Sequence, residues 1–449
     1  MTQPSAGVLV GIDVGTTRVK AVATGTDLRV LGHHEVPTPW LRKGATAEVD
    51  PTALASATTT AAAGAARDAG GTALAVGVTG MAETGVLLGG DGRPVAPALA
   101  WYDPRADCEH VRRQLGDEAC RRVTGRENDT VPSLPKLLWL RRQGEAARAA
   151  VRYLSVPEWA VHALGGDQVN ELSLVSRTGL FDVPGKAPWA DALAMLDAGP
   201  DFLGDIVAAG QPVGRVSDEA PDELRGAVLT VAGHDHQTAA YALGAAVEGV
   251  VLDSLGTAEA LLRTVRSPLA GDAIDTMARE GVTTGWGVVP GHLCLLAGLP
   301  TGISLERVGQ LVGAASPAER IELGRQGLTL DRSRTAMRLA ATYHGVTVHD
   351  VDDEAAPALV WRVAVEDLIA TAQHILGVMA DQVGPQGSVV VTGGWLHNPL
   401  VRSLKDAQYG GFAPGRLDEP GAIGAAELAG VAAGLVAPRW SPDQGAAPA

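Results

Sequence analysis

Val8-Leu9-Val10-Gly11-Ile12-Asp13-Val14-Gly15-Thr16-Thr17-Arg18-Val19-Lys20-Ala21-Val22 reads as an apolar strand, a tight turn with Gly-Thr at its tip, and a returning strand. Past the midpoint the same chemistry recurs in Gly249-Val250-Val251-Leu252-Asp253-Ser254-Leu255-Gly256-Thr257-Ala258-Glu259-Ala260-Leu261-Leu262. In each hairpin the Gly lets the backbone approach an anion, and the Thr adds a hydroxyl beside exposed N–H groups. Two such hairpins imply two similar domains gripping one phosphate chain from opposite sides. That arrangement points to phosphoryl transfer.

Working outward, Leu28–Val36 extends the first meander by a third strand. Asp50-Pro51 then opens an Ala-rich helix to about Ala69, with Asp50 as its cap and Pro51 suited to its first turn. Leu74–Thr79 is continuously apolar, as a buried strand with parallel neighbours should be. Residues 107–165 read as mostly helical and 170–182 as a polar loop. Val228–Ala232 is a strand running into Gly233-His234-Asp235-His236; a long helix at 357–383 precedes the strand Ser388–Val391 and Thr392-Gly393-Gly394. The boundary is expected near Gly244–Gly249, giving domains at 7–244 and 245–437 and a loose tail at 438–449.

A chain of 449 residues with 46% hydrophobic residues has material for two or three packed domains. The net charge of −15 argues against nucleic acid or an anionic membrane as the partner. Any bound anion must be met by local devices, such as backbone turns and a metal ion. Cys108, Cys120 and Cys294 lack metal-ligand spacing and read as reduced thiols. The first seven residues show no signal-peptide pattern, and no run reaches 18 uninterrupted apolar residues, so the expected location is the cytoplasm.

Strand–strand–strand–helix–strand is the order of the ribonuclease-H-like unit of the actin, hexokinase and Hsp70 superfamily. Four segments then line up: the Asp13 hairpin, a strand ending in Gly-His-Asp-His, the Asp253–Thr257 hairpin, and a strand ending in Thr-Gly-Gly. Gly80-Met81-Ala82-Glu83-Thr84, Trp101-Tyr102-Asp103-Pro104-Arg105 and Glu419-Pro420-Gly421-Ala422-Ile423-Gly424-Ala425-Ala426 accompany them. In this the chain resembles the FGGY carbohydrate kinases, the family of glycerol kinase, xylulokinase and gluconokinase, from about Val8 to Gly434. The resemblance implies an α/β fold of two ribonuclease-H-like domains around a central cleft. It also implies ATP and Mg²⁺ as cofactors, a sugar or polyol as the small-molecule partner, and a homodimer as one expected assembly.

Carried over residue by residue, Asp13 stands next to the magnesium of MgATP and Asp235 shares the ion, partly through water. Thr16, Thr17 and Lys20 face the transferred phosphate, while Gly256 and Thr257 meet the phosphates from the second domain. Gly393 and Gly394 match the adenosine segment, where missing side chains let the purine lie against the backbone, and Asn398 contacts ribose or base. Relatives often have a small residue after the glycine pair; here Trp395 either stacks on the base or fills core. Asp235 is the expected general base, since a carboxylate at the C-terminal end of a strand points into the crevice of an α/β sheet.

For the acceptor, Met81, Ala82 and Glu83 lie just after a strand end, and Glu83 can take paired hydrogen bonds from vicinal hydroxyls. Glycerol kinases carry Arg where this chain has Ala82, and the Met-His pair of xylulokinases is also absent, so neither specificity transfers. Trp101 offers a face for C–H groups and Asp103 oxygens for hydroxyls; Arg105 reads as a structural ion-pair partner, and His236 as a substrate contact. A ketose or polyol, xylulose-like, is the favoured acceptor. The alternatives are an aldonate kinase, for which Arg177 is the obvious cation, and a non-catalytic sugar-binding regulator.

Overall fold

The apolar alternation around the first Gly-Thr turn buries Val8, Val10, Ile12 and Val14 on one strand and Val19, Ala21 and Ala23 on its partner. These strands, Ala6–Val14 and Arg18–Thr24, pair antiparallel with Asp13 opposite Lys20. The structure, a computed structural model, describes residues 6–439 apart from 352 and 354. Strand Val30–Pro37 continues the meander. Helix Pro51–Asp68 follows, capped by Asp50, whose carboxylate accepts from Thr52 N. It returns the chain to strand Gly71–Gly80, parallel to the first strand. Strand Val228–His234 joins beyond it, again parallel.

Numbered along the chain, these five strands lie in the order 3-2-1-4-5. Val250–Leu255, Glu259–Arg266, His292–Leu299, Ser388–Thr392 and Ala413–Pro414 repeat that order in a second sheet, with Thr283–Trp286 added at one edge. The fold is therefore the expected pair of ribonuclease-H-like α/β units, and the two Gly-Thr turns occupy equivalent places in them.

The last helix, Pro420–Ala432, belongs to the second half by chain order but packs on the first sheet. Its backbone lies against the strands themselves. A Cβ at Gly11 would stand 1.9 Å from Ala422 O, and one at Gly77 2.1 Å from Ala425 O. Only glycine permits that approach. The small residues of the helix thus let the end of the chain reach the base of the first hairpin.

Helix Pro357–Val383 is long and apolar enough by composition to cross a membrane. It packs within the second half, burying Trp361, Val363, Ala364, Ala372 and Met379.

One expectation about the fold is corrected. Residues 170–182 are not an open polar loop: they form strand Val169–Glu171, helix Leu172–Val175 and strand Phe181–Asp182. Much of their polarity is turned inward: Glu171 Oε2 accepts from Ser173 N at 2.9 Å and Leu174 N at 3.1 Å. The tail at 438–449 lies outside the described residues except for its start. There Arg439 is ion-paired to Glu427, and its N–H donates to the Tyr241 hydroxyl at 3.2 Å.

Candidate active site

Strand Val228–His234 ends in a bulge, its register against Gly71–Gly80 slipping between Val231 and Gly233. Gly233 has φ +92°, and a Cβ there would stand 2.6 Å from Ser173 Oγ. Glycine at this kink turns the chain directly into helix Asp235–Ala242, so Asp235 opens the helix at the sheet's edge. Ser173 Oγ accepts from His234 N at 3.0 Å and fixes the turn from the other side.

Asp235 lines a cleft of about 230 Å³ between the two halves. Thr16, Met81, Ala82, Glu83, Trp101 and His236 line it as well. Asp235 Oδ1 accepts from His236 N at 2.6 Å and lies 3.1 Å from His234 Nδ1. Among the described residues Oδ2 has no partner, and the side chain is 28% exposed. Burial pushes His234 down to about 4, so its ring is neutral near pH 7.

Asp13 lies at the end of the first strand, partly buried, and among the described residues its buried Oδ1 has no hydrogen-bond partner. Burial and the charge of Asp235 push its pKa up to about 7, against the pull of Lys20. Two carboxylates this close, one of them desolvated, form a donor set that suits a divalent cation. No cluster of three or more His, Cys, Asp or Glu suited to a metal occurs among the described residues, so phosphate and water would complete such a shell.

At the far side of the cleft, Glu83 Oε1 accepts from Arg177 Nε at 2.7 Å and Arg126 Nη1 at 3.2 Å. The two guanidiniums hold its carboxyl well below the usual range despite full burial. Neither contact uses Oε2. Trp101 Nε1 donates to Thr16 Oγ1 at 3.0 Å and Trp40 Nε1 to Thr16 O at 2.6 Å, which braces the first turn over the cleft.

A second pocket, of about 360 Å³, is lined by Gly256, Glu306, Arg320, Gly394, Trp395 and Asn398, among others. Trp395 lies tilted 6.2 Å from buried Trp361, with the Arg320 guanidinium 5.6 Å over its ring. Gly393 packs on the Leu255 carbonyl, where a Cβ would come within 2.2 Å.

Several expected site residues are placed otherwise. Asp103 is fully buried, and both its oxygens are taken: Oδ2 by Ala47 N and Arg105, Oδ1 by Arg105 N and Nε. It has nothing left to offer a sugar. Lys20 donates to both oxygens of Glu419 at 2.8 Å, so its charge is already met. The Asn398 amide caps helix Pro399–Tyr409, accepting from Leu400 N and Val401 N and donating to Arg320 O. It borders the second pocket with its hydrogen bonds spent. Thr17 and Thr257 line neither pocket.

Arg126, Glu259, Thr283 and Tyr343 escaped the sequence reading. Arg126 lies in the polar run Arg126-Glu127-Asn128-Asp129-Thr130 between two helices, a composition signal that could have found it. The others come from the second half and reach the cleft only through tertiary structure.

Comparison with known proteins gives a consistent picture. A sequence profile for the N-terminal domain of the FGGY family of carbohydrate kinases matches residues 8–242. A glycerol kinase of Aromatoleum aromaticum is 28% identical over 96% of this chain and 90% of its own length. A crystal structure of xylulose kinase from Rhodospirillum rubrum superposes with a TM-score of 0.84 at 20% identity, covering 95% of this chain and 91% of that one. Plasmodium falciparum glycerol kinase with ADP also gives 0.84, at 16% identity, over 96% of this chain and 90% of the other.

Proposed function

The chain belongs to the FGGY family of carbohydrate kinases, and we propose that it transfers the γ-phosphoryl group of ATP to a hydroxyl of a sugar or polyol, with Asp235 as general base. The observation that carries this reading is the unpartnered Oδ2 of Asp235, on the cleft shared with Glu83 and Trp101. In the step, the acceptor oxygen attacks the γ-phosphorus while its proton passes to Asp235 Oδ2. The bond from the γ-phosphorus to the bridging oxygen breaks, and ADP takes its electron pair. Positioning and charge stabilisation dominate such chemistry, so the base chiefly orients the nucleophile.

Asp13 and Asp235 would hold Mg²⁺, partly through water, and the ion would supply charge neutralisation at the phosphates. Trp395 and Gly394 would receive the base in the larger pocket, with Gly256 on the phosphate side. Thr16, held by Trp101 and Trp40, would face the phosphoryl group, and Glu83 Oε2 would accept from acceptor hydroxyls. Enclosure between the halves keeps water, the competing acceptor, from the phosphorus.

A neutral ketose or polyol is the favoured acceptor. The second reading is an aldonate, because Arg126 stands with Arg177 beside Glu83 and two cations face one carboxylate. A coupled ADP-release screen of pentuloses, polyols and aldonates decides: saturable release with a neutral acceptor supports the first reading, release with aldonates alone the second. Release that is indifferent to every acceptor overturns both.

A further inference from the structure

The cleft is not furnished by the first half alone. Strands Arg338–Thr342 and Gly345–His349 form a hairpin in the second half, and Tyr343 stands in its turn. The turn is built rather than loose. Thr342 Oγ1 accepts from His344 N and Gly345 N, both at 3.2 Å. Arg307 clamps it from the neighbouring helix, donating to Thr342 O at 3.2 Å and Tyr343 O at 2.9 Å. At the hairpin's base Leu339 N donates to Asp367 Oδ2 at 2.7 Å.

The side chain so presented lines the same cleft as Asp235, Glu83 and Trp101. Its hydroxyl lies over Gly298, where a Cβ would stand 3.0 Å from it. The residue is 46% exposed in this structure. A tyrosine held by its backbone beside an acceptor-sized cleft presents an apolar face and a hydroxyl to whatever enters it. The phenol keeps its proton at neutral pH, as a tyrosine ordinarily does, and can donate.

We infer that Tyr343 is an acceptor-binding residue supplied by the second half, its hydroxyl donating to a sugar or polyol oxygen that Asp235 does not engage. The inference rests on the kinase reading above and adds to it that both halves select the acceptor. It also gives the ring a closing role, since it covers the cleft where water would otherwise enter.

The test uses the full-length protein and the best acceptor from the ADP-release screen. Tyr343→Phe removes only the hydroxyl from a half-exposed turn, and Gly298→Ala displaces it without removing it. Loss of one neutral hydrogen bond should raise the acceptor KM about five- to tenfold in Tyr343→Phe, with the KM for ATP unchanged. Tyr343→Ala should add acceptor-independent ADP release as water enters. Gly298→Ala should shift the acceptor KM in the same direction as Tyr343→Phe. A wild type active on an acceptor, with all three variants unchanged in acceptor KM and in ranking of acceptors, overturns the role of Tyr343 alone. A wild type that releases no ADP with any acceptor overturns it together with the kinase reading.

Discussion

Lys405 Nζ lies 2.8 Å from Asp253 Oδ2, and neither side chain is exposed. Asp253 stands three residues before the Gly of the second turn, whereas Asp13 stands two before the Gly of the first, so the carboxylates sit one step out of register in their hairpins. The charge of Asp253 is cancelled from within: Lys405 also meets Glu259 at 2.5 Å, and the Tyr409 hydroxyl donates to Asp253 at 2.7 Å. Asp13 has no such cation in contact, only Lys20 nearby and already paired with Glu419. The two hairpin carboxylates therefore differ in chemistry. One is a structural anion, and the other is left short of positive charge.

Lys405→Met should accordingly be a stability defect before it is a catalytic one. Removing the cation strands two buried carboxylates, and breaking a buried pair typically costs about 3–5 kcal/mol. Denaturant unfolding should register that loss. Adding Asp253→Asn and Glu259→Gln to the same chain should recover much of it. A single variant as stable as wild type would show that the network is not needed.

Asp235→Asn should lower kcat by about 10²–10⁴-fold, the usual contribution of a positioned base. The carboxamide keeps the shape and the contact with His236 N, so nucleotide affinity measured by calorimetry should hold. Turnover near the wild-type rate would remove Asp235 from the role.

Asp13 predicts a pH signature. Its pKa is about 7 in the folded protein against 3.8 as the ordinary value, so the folded chain keeps a proton that the unfolded chain has released. Stability contributed by this group therefore falls as pH rises from about 4 to about 7, and stays low above. Asp13→Asn should melt higher than wild type at pH 8 and show no advantage near pH 3.5. MgATP should raise the wild-type melting temperature at pH 8 and do so far less in the variant. Equal responses would separate Asp13 from the cation.

Much of this was legible in the chain, for physical reasons that differ by residue. The hairpins showed because burial on the sheet demands alternation and the turn demands Gly-Thr. The end of strand Val228–His234 showed because Gly and a run of polar residues interrupt an apolar stretch there. Asp103 misled because a motif position says nothing about which donors surround a carboxylate; Ala47 N and Arg105 had spent it. Lys405 was readable in principle, being four residues after buried Val401 on the inward face of its helix, but its partners lie 146 and more residues away. Tyr343 was not readable, since only the hairpin's placement brings it to the cleft.

Trp395 supplies the converse of the Tyr343 experiment. It lines the larger pocket and is only partly buried beside Trp361 and Arg320, so its exposed part is available to a base. Stacking of a base on an aromatic ring is worth about 1–3 kcal/mol, or roughly five- to 150-fold in affinity. Trp395→Leu keeps an apolar filler against Trp361 while removing the platform. It should raise the KM for ATP within that range, leave the acceptor KM alone, and abolish fluorescence quenching of this indole by ADP. Tyr343→Phe should move the acceptor constant and spare the nucleotide, so the two variants together assign each pocket its ligand. A Trp395→Leu enzyme whose ATP constant is unchanged, with its acceptor constant raised instead, would reverse that assignment.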